Sequence, residues 1–463
     1  MAEEFTMEGK FFSAVCAVCV FLFSSFAAQA QSILPQGAAP DVYRIVEKHN
    51  FRKRLNGKYQ GAAYREIRGT LQRVAGASAG GPGGSAGLTY DGRFFILEET
   101  KRAAQLAGAR VDESLPVSLR LSALGAVMAG SPGRFPTMRD FPALPQKAIV
   151  PGTQWEAGAE RILDPDFSGK ITAARVQVEY HYTGPGEYKG FPGHNLTAKY
   201  AVRYRRGQGA SADPDLDEVM GGHEANIFLP SGAEGPRLIS ETFHEEYRYR
   251  DGRVVALEGT VLILFEGVAP LDQTETIGRI AGVITQAAPS LTLSTEAPPS
   301  GSSSASSGGG SSAPPPPAPR EMSRQNPPPG PPQGTSRELP DIEVAPRPEG
   351  VALTINNLRF KADSAELLAS EEARLEALAK ALSSIPAGRN FLIVGHTADM
   401  GRPSGEKQLS VERAGAIAAA LEKRGISKDR LLTEGRGGTQ PLAPNTNEAG
   451  RARNRRVEAI ILN

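Results

Sequence analysis

Between residues 287 and 349 the chain offers almost nothing to bury, and this splits everything else into two separate folding problems. The stretch holds a serine-rich block at 302–307, three glycines at 308–310, and proline runs at 314–317 and 327–332. Such composition cannot bury enough apolar surface to offset the entropy of ordering it. Residues 287–349 are therefore expected to form a flexible Pro/Ser/Gly-rich linker. Its span is about 45 Å as a coil and roughly 190 Å as a fully extended polyproline helix. That reach suits a chain joining two separated objects.

The first thirty residues read as an export signal. Residues 11–28 are mainly apolar and uncharged, Lys10 precedes them, and Ala28-Gln29-Ala30 forms a small-x-small cleavage pattern. Met7 is an alternative start that would drop Glu3 and Glu4. Both cysteines, Cys16 and Cys19, fall inside this segment, so the mature chain from Gln31 has no disulfide and no thiolate metal site. Val15 and Val18 stand before them where a lipidation signal needs a small residue.

Residues 31–286 read as β-rich and antiparallel. In 171–182, Val176, Val178, Tyr180 and Tyr182 share one face, and Arg175, Gln177, Glu179 and His181 the other. Residues 196–205 alternate likewise. Segments 239–250 and 254–265 flank Asp251-Gly252, a hairpin signal. Residues 58–74 and 117–123 are further strands, and 98–106 reads as a short helix. Prolines at 132, 136, 142, 145 and 151 mark a junction. The expectation is two tandem small domains: 31–145, β-rich with some helix, and 146–286, antiparallel β. One larger curved sheet is the alternative. A transmembrane barrel is disfavoured, because the polar faces carry opposite charges where a lipid-facing band would be apolar.

Residues 350–463 alternate strand and helix, which predicts an α/β sandwich with helices on one face of a sheet. Strands are expected at 351–358, 390–394, 431–434 and 457–462. One helix carries Leu368, Leu375, Leu378 and Leu382 on one face. A second, at 410–423, points Ala414, Ile417, Ala418 and Leu421 inward.

Within this segment, Gly395-His396-Thr397-Ala398-Asp399-Met400-Gly401 leads into Leu409-Ser410-Val411-Glu412-Arg413-Ala414, and Asn454-Arg455-Arg456-Val457-Glu458 closes the chain. Phe360-Lys361-Ala362-Asp363-Ser364 precedes the first helix, with Asp363 or Ser364 as its cap. Order and spacing resemble the OmpA-like carboxy-terminal domain, a peptidoglycan-binding module. The resemblance implies a stem-peptide site built from Gly395, Thr397, Leu409, Ser410, Arg413 and Arg455, and Asp399, one residue past the position of the family aspartate, is a candidate carboxylate beside it. Arg413 aligns with the family arginine that grips a stem-peptide carboxylate. With the helix starting at 410, it sits in the first turn, where a cation opposes the helix dipole and gains from meeting an anion. Two positions depart from the pattern: Ala398 replaces the family aspartate and Glu406 replaces its asparagine. Weak or altered diaminopimelate recognition follows. His396 is expected to be structural, hydrogen-bonding the loop.

Other classes find little support. The net charge of +1 gives no electrostatic case for nucleic acid. Gly80-Gly81-Pro82-Gly83-Gly84 lacks the Gly-Lys-Ser/Thr ending of a phosphate loop, and no histidine pair has zinc-protease spacing. No cofactor, metal or catalytic residue is expected. The sequence reads as a non-enzymatic, exported envelope protein, periplasmic and associated with the outer membrane or wall. It would link peptidoglycan to the outer membrane or an envelope partner contacted by its amino-terminal region. The alternative is a divergent OmpA-like domain that has lost wall binding and serves as a periplasmic protein-interaction module.

Overall fold

The computed structural model describes residues 30–34, 37–75, 87–100, 109–208, 213–232, 235–295, 341–361 and 364–463. The export signal, Cys16, Cys19 and Asp363 lie outside them.

The amino-terminal region is built from β1 (Val42–Leu55), β2 (Lys58–Arg73), β3 (Gly87–Thr100), β4 (Ala109–Arg110), β5 (Glu113–Ser122), β6 (Val127–Ala129) and β7 (Met138–Arg139). It continues with β8 (Gln154–Leu163), β9 (Thr172–Tyr188), β10 (Phe191–Arg205), β11 (Leu216–Pro230), β12 (Arg237–Tyr249) and β13 (Val254–Val268). Among the described residues all but β4 join one twelve-stranded sheet, ordered β6-β5-β3-β2-β1-β13-β12-β11-β10-β9-β8-β7. Its two ends meet: Val127 N–H donates to the Phe141 carbonyl at 3.0 Å and Asp140 N–H to the Val127 carbonyl at 2.8 Å. The sheet thus curls into a near-closed barrel whose ends touch through this one bridge, and its strands pair antiparallel throughout.

This corrects the expectation of two tandem domains. The proline-rich stretch at 132–151 is not a junction between domains; it carries β7 and closes the seam. Of the short helix expected at 98–106, residues 98–100 instead continue β3, and 101–108 lie outside the described residues.

The alternation read from sequence governs the barrel wall. Val176, Val178, Tyr180 and Tyr182 of β9, and Leu196, Ala198, Tyr200, Val202 and Tyr204 of β10, are buried inside. Arg175, Gln177, Glu179, Lys199 and Arg203 face out. A barrel that spans a membrane has the opposite polarity, apolar outside and polar within. Glu241, Glu245, His223 and Arg161 break the pattern by pointing inward. Among the described residues, no helix is long and apolar enough to cross a membrane.

The carboxy-terminal domain comprises α1 (Gln273–Ala287), β14 (Leu293–Thr295), β15 (Ile342–Arg347), β16 (Gly350–Asn356), α2 (Glu372–Ser383), β17 (Phe391–His396), α3 (Pro403–Glu422), β18 (Leu431–Gly437), α4 (Glu448–Asn454) and β19 (Arg456–Leu462). Its sheet runs β14-β15-β16-β19-β17-β18-β4. Val351, Leu353, Ile355, Phe391, Ile393 and Ile461 point to the helices. Leu392, Val394, Leu432, Ile460 and Leu462 point the other way, onto Phe95, Leu97 and Val111 of the amino-terminal region. A strand buried on both faces reads as an unbroken apolar run, as in Phe391–Val394. Among the expected helix face, Leu375, Leu378 and Leu382 are buried in α2, but Leu368 precedes the helix and is exposed.

The expected linker needs correction in its boundaries and its role. Only residues 269–272 separate β13 from α1, and α1 buries Ile277, Ile280 and Ile284 in the carboxy-terminal core. The ends of 287–349 are ordered: β14 and β15 are parallel neighbours, with Leu293 opposite Ile342 and Thr295 opposite Val344. The low-complexity run leaves and rejoins the same domain, so it does not set the distance between barrel and domain. The domain is instead docked directly. Beyond the apolar contact, β4 pairs with β18, Val111 N–H donates to the Thr433 carbonyl at 2.8 Å, and Arg68 Nη1 donates to the Asp429 carbonyl at 2.5 Å.

Candidate functional site

The loop 397–402 links the end of β17 to the start of α3. It is packed tightly from below. A Cβ on Gly395 would lie 2.2 Å from the Ser410 carbonyl oxygen, and one on Gly435 would lie 2.4 Å from Ser410 Oγ. Two glycines therefore let α3 rest on β17 and β18. Ser410 is fully buried, donates to the Lys407 carbonyl at 2.7 Å and accepts from Gly437 N–H at 2.9 Å. Gly395 and Ser410 thus position the loop from inside the packing. Leu409 is half-buried beside them.

α3 begins at Pro403, seven residues earlier than expected. Arg413 therefore stands about three turns into the helix, and the argument from an unfavourable first-turn cation does not apply. The true amino terminus already has an anion: Glu406 accepts from Met400 N–H at 2.7 Å and Arg402 N–H at 3.1 Å. A carboxylate there is favoured by the helix dipole. Glu406 is spent on the loop.

The positions next to it divide sharply by exposure. Thr397 is buried; its N–H donates to the Gly437 carbonyl at 3.0 Å, while its hydroxyl has no partner among the described residues. Ala398 is buried, and Asp399 is exposed. Asp399 accepts from Gly401 N–H at 2.9 Å, closing a turn that Gly401 completes at a φ of 77°. Asp399 N–H donates to Asn445 Oδ1 at 3.3 Å.

Arg413 is half-buried on the flank of this loop. Its guanidinium carbon lies 4.7 Å from the centre of the Phe360 ring, within cation–π range. Its Nε makes a long contact, 3.5 Å, to the Ser364 carbonyl. The segment preceding α2 thus borders the arginine.

His396 is structural but makes no hydrogen bond to the loop. Both ring nitrogens are buried without a hydrogen-bond partner among the described residues, and Nε2 is 3.6 Å from Glu458. Burial, reinforced by the charges of Arg456 and Arg436, pushes its pKa down to about 2. The ring is neutral.

The closing segment braces the site. Arg455 pairs with Glu448, which also accepts from Arg451 Nε at 3.0 Å. Arg456 is buried and donates to Glu458 at 2.7 Å. Two asparagines do the most: Asn454, which the closing motif contained without a role, and Asn445, which no motif contained. The buried Asn454 accepts from Leu442 and Ala443 N–H at 2.8 and 3.0 Å and donates to Asn445 Oδ1 at 2.9 Å. Asn445 then holds the Asp399 backbone. An asparagine directly before two arginines at the start of a strand was the available signal.

Residues 359–455, which contain loop 397–402, Phe360 and Arg413, match the OmpA family. The carboxy-terminal domain belongs to the OmpA family. The chain is 34% identical over 110 residues to the peptidoglycan-binding protein ArfA of Mycobacterium tuberculosis, covering 24% of this chain and 33% of that protein. It is 42% identical over 72 residues to outer membrane protein A of Bordetella avium, covering 16% of this chain and 37% of that protein. Among solved structures, an outer membrane protein from Borrelia burgdorferi is 33% identical, covering 26% of this chain and 97% of that chain, with a TM-score of 0.23. The chain spans 15% to 48% of the length of the curated relatives it matches.

Proposed function

We propose that this is a non-enzymatic envelope protein that binds peptidoglycan through residues 350–463. In this reading the first 30 residues are removed on export, the protein resides in the periplasm, and the barrel meets the outer membrane or an envelope partner. One observation carries it: an OmpA-family domain holds Arg413 against Phe360, beside a loop whose exposed carboxylate is Asp399. Guanidinium and carboxylate suit the free carboxylate and free amine of an uncross-linked stem peptide, and arginine binds carboxylates with two parallel bonds. The printed name of the mycobacterial relative, a peptidoglycan-binding protein, supports the same reading. The barrel's charged exterior supports contact with a membrane partner over insertion.

Diaminopimelate recognition is expected to be weak. Ala398 removes a carboxylate, and Glu406 is turned into the loop. The test is co-sedimentation of the full chain with purified cell wall. The wild type is expected to pellet and Arg413→Ala to lose at least tenfold in retention. Equal retention of both removes Arg413 from the role. The internal use of Glu406 also favours a second reading, a domain that now recognises a protein; no wall retention together with one purified envelope protein bound through loop 397–402 would establish it.

A further inference from the structure

Residues 48–65 carry six cations, Lys48, Arg52, Lys53, Arg54, Lys58 and Arg65, and no aspartate or glutamate. The net charge of the whole chain, +1, hides this local excess. The stretch forms the end of β1, the turn Asn56-Gly57 and the start of β2. Both turn residues have positive φ, 48° and 78°, as a two-residue hairpin turn of the preferred hand requires. The tip is held from the side as well. Asn56 N–H donates to the Val254 carbonyl, and Asn56 Oδ1 accepts from Val254 N–H, both at 2.8 Å. The charges therefore stand on a fixed platform.

The strand register decides which of them are spent. Arg65 is buried and lies over the rings of Phe51 and Phe167. Lys53 meets Asp166 at 2.6 Å, and Arg52 lies 4.0 Å from Glu258. Arg54 stands between Tyr59 of β2 and Ala256 of β13, so neither neighbouring strand places an acid opposite it. Lys58 stands opposite Leu55. Arg54 and Lys58 are exposed and have no carboxylate partner among the described residues. Tyr59, the cross-strand neighbour of Arg54, is 56% exposed.

This end of the barrel is polarised. In the turn joining β12 to β13, Asp251 is paired with Arg253. Beyond it, the loop between β10 and β11 holds Asp213, Asp215 and Asp217, with Asp217 paired to Arg206. Arg250 N–H donates to the Asp215 carbonyl at 2.9 Å, so the β12–β13 turn separates the basic tip from the acidic loop.

Each Lys or Arg near an anionic bilayer surface raises partitioning about fivefold, and tyrosine favours the headgroup level. We propose that the β1–β2 tip is where the barrel lies against a phospholipid bilayer, with Arg54 and Lys58 on anionic headgroups and Tyr59 beside them. The inference rests on the reading that the barrel meets the outer membrane, and it names the surface that does so. It does not involve loop 397–402.

The test is co-sedimentation of the full chain with vesicles of phosphatidylcholine alone or mixed in equal parts with phosphatidylglycerol. The same samples are assayed for cell-wall retention. At least tenfold more protein is expected on the anionic vesicles, and the excess should vanish in about 1 M salt, where the screening length is about 3 Å. Arg54→Glu combined with Lys58→Glu is expected to erase the preference and keep wall retention, while Arg413→Ala keeps the preference. Equal binding to both vesicles, binding to neither, or a preference that survives the charge reversal overturns the proposal. Loss of wall retention by the wild type instead overturns the wall-binding reading. Circular dichroism establishes that the double variant is folded. If it is not, Arg54→Gln combined with Lys58→Gln carries the test, with at least a fivefold loss of the preference expected and an unchanged preference overturning the proposal.

Discussion

The barrel and the OmpA-family domain solve the problem of buried charge in opposite ways. Inside the barrel, His223 stacks between Tyr200 and Phe243, 4.4 and 5.8 Å from their ring centres. Its two nitrogens lie 2.7 Å from Glu241 and 3.2 Å from Glu245. Glu245 in turn meets Arg161 at 3.3 Å. A guanidinium and an imidazole thus face two carboxylates in the barrel interior. Burial opposes charging of Glu245, yet Arg161, His223 and Tyr247 together hold its pKa down to about 2. Burial likewise opposes the His223 cation, and its bonds to the two glutamates outweigh it, so its pKa is raised. In the carboxy-terminal domain, His396 is buried beside arginines and simply stays neutral. The lesson is that interior histidines report their partners: one is shifted toward its charged form, the other away from it, at the same degree of enclosure.

The largest expected effect breaks the barrel cluster. Glu245→Ala leaves Arg161 and His223 undercompensated, and removing one partner of a buried pair costs about 3–5 kcal/mol. Denaturant unfolding of the full chain measures it; a loss under about 1 kcal/mol would show that the cluster is solvated.

The pH dependence sharpens the contrast. Between pH 6.5 and about 2 the unfolded His396 binds a proton that the folded one does not. Its contribution to stability therefore falls as pH drops below 6.5, by about 1.4 kcal/mol per pH unit. His223 has the opposite sign: its contribution is complete below 6.5 and is lost as pH rises through its raised pKa. Between pH 6.5 and about 5.5 the carboxylates with lowered pKa values are ionised in both the folded and the unfolded state, so His396→Leu should flatten the acid limb of an unfolding-midpoint profile there. An unchanged slope would mean that His396 is charged.

A smaller effect probes the packing beneath the loop. Gly435→Ala forces a methyl into Ser410 Oγ and the Val411 backbone, both 2.4 Å from the ideal Cβ. Overpacking of this kind costs about 1–3 kcal/mol. Melting of that variant checks it. The smallest effect is expected from replacing 296–340 with a Gly/Ser connection of about 12 residues, long enough to return along a parallel pair. Because β14 and β15 are parallel neighbours in one sheet, domain docking should persist, and small-angle scattering should show the barrel and domain at an unchanged separation. A marked change in separation would restore the linker to a spacing role.

Much of this was legible in the sequence, for reasons specific to each element. Strict alternation in β9 and β10 follows from a wall that is dry inside and wet outside. The Phe391–Val394 run marked a buried strand without revealing what covers its second face, since Phe95 and Val111 are distant in sequence. Glu241 and Glu245 sat in an alternating strand with the apolar residues of β12; only their partners on β8 and β11 explain their inward orientation. The low-complexity run suggested separation because composition says nothing about where its ends are held. At the site, the resemblance marked Arg413, and Asp399 stood one residue past the matching position. The early start of α3 was not, because Pro403 at a first helical position and Glu406 as an internal cap are signals of a helix start that the loop pattern obscured.

The central claim is that the flank of loop 397–402 receives a piece of peptidoglycan. The most direct measurement is backbone chemical-shift mapping of the full chain during titration with a diaminopimelate-containing stem tripeptide. The account predicts saturable shifts centred on Asp399, Phe360 and Arg413, absent in Arg413→Ala. Shifts confined to other surfaces, or an identical pattern in that variant, would contradict it.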